Sequence, residues 1–144
     1  MKVETPVSVR LTRRYEATAE RVFDAFLDPE RARKFLFHKP TAQMISVEID
    51  ARVGGRFSFV DRRDGVDVEF AGQYLEIDRP RRLAFSLQVE NVAMHGDHVL
   101  IEIVPAGKGC ELTLIHDVSP SLAEFQGRIE QGWIGIFDEL VKVL

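Results

Sequence analysis

The sequence predicts an α+β domain in which a seven-stranded curved antiparallel sheet surrounds a long C-terminal helix, with two short helices after the first strand. Three observations predict it. From Ile45 onward the chain reads as six successive segments of period-two alternation broken by glycine or proline turns, the mark of an antiparallel meander. A seventh such segment precedes them, separated by two brief apolar helical patterns. After them, residues 120–144 carry one sustained helical periodicity.

Taken in order, Val7, Val9, Leu11, Arg13 and Tyr15 alternate with Ser8, Arg10, Thr12 and Arg14, so Val7 to Tyr15 is the first strand. Thr18 is placed to cap a short helix with Val22, Phe23 and Phe26 on one side. Asp28-Pro29 ends it and caps a second, because proline fits the first helical position, and Ala32, Phe35 and Leu36 give that helix its apolar side. The six later strands are expected at Ile45 to Asp50, Gly55 to Arg62, Val66 to Ile77, Leu83 to Val89, Val99 to Val104 and Glu111 to Val118. Turns at Val53-Gly54-Gly55, Arg63-Asp64-Gly65, Asp78-Arg79-Pro80 and Gly107-Lys108-Gly109 join them, and Glu90 to His98 reads as a mobile rim loop. One face of each strand is apolar, carrying Phe57 and Phe59, then Val66, Val68 and Phe70, then Leu83, Phe85, Leu87 and Val89, then Val99, Ile101 and Ile103, then Leu112, Leu114 and His116.

That face is the natural cover for the C-terminal segment, where Leu122, Phe125, Ile129, Ile136, Leu140 and Val143 recur at helical steps. Ser121 with Glu124 forms a capping box, and Ser119-Pro120 competes with it for the start. A helix of that length is roughly 37 Å long, so only a broad sheet can cover it. Gly132 falls in the middle of the stripe, which implies either close contact with a bulky strand residue or room left for a guest molecule. Trp133 lies inside the apolar arc and should be buried against the sheet, its N–H seeking a polar partner or water.

A chain of 144 residues with 45 % hydrophobic content is expected to form one domain spanning 1–144. The formal charge of −4, with arginines spread among acids, argues against a nucleic-acid or anionic-membrane face. Cys110 is the single cysteine, which excludes an internal disulfide or a thiolate cluster. No signal peptide or membrane span is legible, so a soluble, cytoplasmic protein is expected.

At this point the order of elements resembles the helix-grip fold of START-like and birch-pollen-allergen-like proteins, the SRPBCC superfamily. Several phrases are similar to the group named for the activator of the ninety-kilodalton heat-shock chaperone's ATPase. They are Glu20-Arg21-Val22-Phe23-Asp24-Ala25-Phe26 with Asp28-Pro29-Glu30, the turn Val53-Gly54-Gly55-Arg56-Phe57, the strand end Gly72-Gln73-Tyr74-Leu75-Glu76-Ile77, Leu112-Thr113-Leu114 with His116, and Gln131-Gly132-Trp133. Phe35 stands where the family usually has tryptophan, which alters the shape of a pocket. The separate N-terminal domain with which the eukaryotic activators grip the chaperone is not in this sequence, so their activity is not expected here.

The resemblance and the aromatic face together imply a binding module for a small hydrophobic or lipid-like molecule in a cavity between helix and sheet. The sheet would supply Phe57, Phe59, Phe70, Phe85, Leu87, Ile101 and His116, and the helix Gly132, Trp133 and Phe137. A second reading is an enzyme of cyclase, dehydratase or hydrolase type in the same cavity, with His116 and Tyr74 as weak acid–base candidates. A third is a chaperone-associated protein acting through an apolar surface, whose one obvious source is Val92, Ala93 and Met94. A homodimer is compatible with the sequence. No metal or cofactor is expected: His95 and His98 flank Asp97 in what reads as a surface loop, His38 reads as rim, and Asp61, Asp64 and Asp67 read as turn and solubility residues.

Overall fold

The computed structural model describes residues 7–89 and 94–144. Seven strands form one antiparallel sheet in the order β1-β7-β6-β5-β4-β3-β2, where β1 is Val7–Tyr15, β2 Gln43–Ile49, β3 Arg56–Arg63, β4 Val66–Asp78, β5 Arg82–Val89, β6 Met94–Ala106 and β7 Gly109–Val118. The last six are a meander, and β1 closes the order by pairing with β7 from Val7↔Val118 to Tyr15↔Cys110. Between β1 and β2 lie α1 (Ala19–Leu27) and α2 (Pro29–Phe35), capped by the side chains of Thr18 and Asp28 with Pro29 in the first turn of α2. Arg79 holds α1 to the β4–β5 turn through a two-pronged pair with Asp24, Nε and Nη2 donating at 2.7 and 2.8 Å.

The C-terminal helix differs from expectation in length and phase. Residues 120–125 form a 3-10 helix, the α-helix proper, α3, is Gln126–Leu140, and Val141–Val143 returns to 3-10. No side chain caps α3 at Phe125. The predicted stripe still packs on the core: Phe125, Ile129, Ile136 and Val143 are partly buried against it and Leu140 is fully buried. The buried line of α3 is Trp133, Phe137 and Leu140. Gly132, one residue off that line, is exposed.

Three further differences concern strands. β6 begins at Met94, so residues 94–98 extend the sheet where a loop was expected; residues 90–93, with Val92 and Ala93, lie outside the described residues. β2 is an edge strand with a register shift between Met44 and Ser46, which leaves Ile45 exposed and points Met44, Val47 and Ile49 toward the core. Val66, beside the Asp64-Gly65 turn of the β3–β4 hairpin, is also exposed. Elsewhere the predicted alternation holds, and the concave face buries Phe57, Phe59, Leu83, Phe85, Val99, Ile101, Ile103, Leu112 and Leu114 beneath α3 and the helix pair.

Candidate functional site

The concave face brings most of the predicted lining together, around a residue the sequence reading did not single out. Phe57, Phe59, Phe85, Leu87 and Ile101 are all buried, each on the inward phase of its strand, and Phe70 is half-buried nearer the rim. Phe37, from the segment joining α2 to β2, inserts among them. Its ring is nearly parallel to Phe70 (centroids 5.0 Å, planes 7° apart) and to Phe57 (6.0 Å, 10°), and meets Phe59, Phe85 and Trp133 edge-on at 5.4, 6.5 and 5.8 Å. These are the geometries that aromatic quadrupoles favour.

Side chains pack closely where the helix pair meets the concave face. The space enclosed by Phe26, Leu36, Phe37, Phe57, Phe59, Tyr74, Leu83 and Phe85 is about 10 Å³, room for roughly one water. Between this space and α3, the Phe37 ring stands next to Trp133. Gly132 contributes nothing there: a Cβ built on it meets no atom within 4 Å, so both interior readings of that glycine are overturned by the helix phase. The glycine that makes room is Gly72 on β4. A Cβ there would lie 1.8 Å from the Ser86 carbonyl oxygen and 2.7 Å from the Phe57 ring, so its missing side chain is what lets that ring lie against β4.

The polar side of the site is a buried chain of three residues. Trp133 Nε1–H donates to Nδ1 of His116 at 3.0 Å, and His116 Nε2 meets Oδ2 of Asp97 at 3.0 Å. All three are almost fully buried. An indole nitrogen can only donate, so Nδ1 must be the unprotonated nitrogen, and the imidazole is therefore neutral with Nε2–H donating to the carboxylate. Burial lowers the His116 pKa, opposed by the hydrogen bond and charge of Asp97. Both ring nitrogens are thus engaged, and His116 has no lone pair or proton to offer a guest. Tyr74 is buried against Phe57 at 5.3 Å, and burial pushes its hydroxyl pKa up, so it is a neutral phenol and a poor base.

A second buried acid lies at the mouth of the aromatic cluster. Asp61 is fully buried, and accepts from Arg63 Nε at 2.8 Å and from the Lys39 backbone N–H at 3.2 Å, with His38 Nδ1 2.7 Å from its other oxygen. The Arg63 guanidinium lies 5.0 Å over the Phe70 ring and donates to the Phe37 carbonyl at 3.4 Å. Asp61 is therefore not a turn residue; it ties β3 to the segment that carries Phe37. Two signals could have found these acids. Asp61 continues the inward series Phe57, Phe59, and Asp97 continues Val99, Ile101, Ile103 in the other direction.

Outside the core, a surface groove of about 420 Å³ is lined by Asp78, Arg81, Arg82, Glu102, Ile103, Val104 and Pro105. Its arginines are spent on neighbours, Arg81 on Asp78 and Arg82 on Glu76 and Glu102. Among the described residues no group of three or more His, Cys, Asp or Glu is placed to hold a metal, and no helix is long and apolar enough to cross a membrane.

A single antiparallel sheet curved over a C-terminal helix, with a helix pair inserted after the first strand and an aromatic interior, defines a helix-grip module of the SRPBCC class. The family model for the activator of Hsp90 ATPase homolog 1-like protein matches residues 16–144, and the chain belongs to that family. Among solved structures it is similar to a Chromobacterium violaceum protein at 27 % identity, TM-score 0.80, covering 94 % of this chain and 95 % of that one. A Nitrosomonas europaea protein (21 %, TM-score 0.83, 100 % and 96 %) and an AHSA1-like protein from Aeromonas hydrophila (20 %, TM-score 0.82, 95 % and 91 %) share the fold. The comparison with curated proteins finds no match.

Proposed function

We propose that the protein is a binding module for a small hydrophobic or lipid-like molecule, taken up between α3 and the concave face of the sheet. The observation that carries this reading is the composition of that interior. Phe57, Phe59, Phe70, Phe85, Leu87 and Ile101 face Trp133 and Phe137 of α3, and the buried polar side chains among them are consumed by one another. Such a surface recognises apolar matter and offers a guest little hydrogen bonding. The family to which the chain belongs commonly holds hydrophobic ligands. With both His116 nitrogens engaged and Tyr74 neutral, neither of the two acid–base candidates read from the sequence is free to act, which weighs against the enzymatic alternative.

Trp133 supplies the test, being the single tryptophan and buried beside the Phe37 and Phe137 rings. Its emission should be blue-shifted in the folded protein and should shift again, saturably, on titration with dodecanoic acid or 2-naphthol, with a matching rise in melting temperature. A native mass spectrum without adducts, together with no emission or thermal response to either compound, would count decisively against a binding module.

A further inference from the structure

The geometry points to Phe37 as a built-in plug, whose ring fills the slot that a planar aromatic group of the ligand enters, and which must swing out for that ligand to bind. This rests on the binding-module reading and adds the ligand's chemical class and the moving part. The slot is defined by rigid elements: Phe57 on β3 and Phe70 on β4 lie nearly parallel to the Phe37 ring, while Phe59, Phe85 on β5 and Trp133 on α3 close its edges. Two parallel faces and three edges select a flat π-system over an alkyl chain, because stacked and edge-on contacts reward the quadrupole of a ring.

Of the six rings in this cluster, only Phe37 sits on a connection, between the end of α2 at Phe35 and the start of β2 at Gln43. It can leave without breaking a strand ladder or a helix. Its backbone is also in the left-handed region, with φ +54°, a conformation unfavourable for a residue with a bulky side chain and retained only when the surroundings impose it. What imposes it here is polar and near the rim. Asp61 accepts the Lys39 N–H and pairs with His38, and Arg63 donates to the Phe37 carbonyl, so residues 37–39 are fastened to β3 by hydrogen bonds just C-terminal to the ring's attachment. Such bonds can be exchanged for water when the segment moves, whereas the walls of the slot are held by backbone ladders. Strained backbone, a polar fastening and a phenyl group in the middle of the aromatic site together describe an occupant that yields to a better-fitting ring.

The experiment pairs wild type bearing 4-fluorophenylalanine at position 37 with the variant Phe37→Gly, which removes the ring and accepts the positive φ. The probes are 2-naphthol, its saturated analogue decahydro-2-naphthol, and dodecanoic acid. In wild type, 2-naphthol should move the fluorine resonance from its buried position to a solvent-like shift. Phe37→Gly should bind 2-naphthol at least about tenfold more tightly than wild type does and favour it over the saturated analogue. Dodecanoic acid or decahydro-2-naphthol binding as well as 2-naphthol, or 2-naphthol binding with the fluorine signal unmoved, overturns the plug while leaving the hydrophobic-binding reading intact. No binding of any probe to wild type or variant overturns both. If Phe37→Gly does not fold, the fluorine measurement on wild type still decides.

Discussion

His116 shows how one buried side chain can set the pH response of the fold. Its Nδ1 must stay unprotonated to accept the Trp133 N–H, and burial lowers its folded pKa below the ordinary 6.5 despite the neighbouring Asp97. In the unfolded chain the imidazole takes up a proton near 6.5, while the folded protein resists it. Stability from this residue is therefore fully present above about pH 6.5 and declines as pH falls through the lowered folded value, with a limiting slope of about 1.4 kcal/mol per pH unit for one proton. Denaturant midpoints should accordingly fall more steeply between pH 7 and 5 in wild type than in His116→Gln, which has no imidazole to protonate. Because protonating Nδ1 also breaks the indole hydrogen bond, Trp133 emission of the folded wild type should change only at lower pH, where the folded imidazole itself takes up the proton. Parallel midpoint curves for the two proteins would show that the buried imidazole is not the linked group.

At the scale of elements, two glycines with opposite surroundings separate what local pattern can reveal from what it cannot. Gly132 lies in α3 with open space where its side chain would be, so Gly132→Ala should stabilise the protein by about 0.5–1 kcal/mol, the ordinary helix preference. Gly132→Leu should fold and leave ligand binding unchanged. Gly72→Ala should instead cost about 1–3 kcal/mol or more, since its Cβ would strike Ser86 and Phe57. Urea melts of the three variants check the ordering, and a loss of stability in Gly132→Ala would reinstate that glycine in the interior. The sequence alone made Gly132 look important and Gly72 ordinary, because Gly132 lies at helical spacing from Phe125 and Ile136, which only flank the buried line of Trp133, Phe137 and Leu140. Strand alternation was more dependable: the inward placement of Phe57, Phe59, Phe85, Ile101 and His116 is a period-two property, and each of these residues is buried. What alternation lacks is the partner. Trp133 and Asp97 meet at His116 across three elements, and Phe37 takes its place through a backbone conformation no propensity favours, so neither arrangement has a local signature.

For the molecule as a whole, the decisive seam joins the two ends of the chain. The similarity to the family begins at Glu16, one residue after β1 ends, yet β1 is built into the fold along its full length. Its nine residues pair with β7, Val9 and Tyr15 are buried, and the strand also holds the C-terminal helix: Tyr15 Oη–H donates to the Phe137 carbonyl at 3.0 Å in the interior, Arg13 pairs with Asp138, and the Gln126 side chain donates to the Ser8 carbonyl. The demands on β1 are backbone pairing and alternation, which many sequences meet, so a weak sequence signal is compatible with an essential structural part. Without it, β7 becomes an unpaired edge beside the apolar face of Leu112 and Leu114, and α3 loses the strand to which it is tied. A chain of residues 16–144 should therefore lack a cooperative thermal transition and self-associate, and a synthetic peptide of residues 1–15 added in trans should restore the transition by supplying the missing strand. A monomeric 16–144 chain melting at the wild-type temperature would mean that the sheet is complete without β1 and that α3 is held by the helix pair and the remaining strands alone.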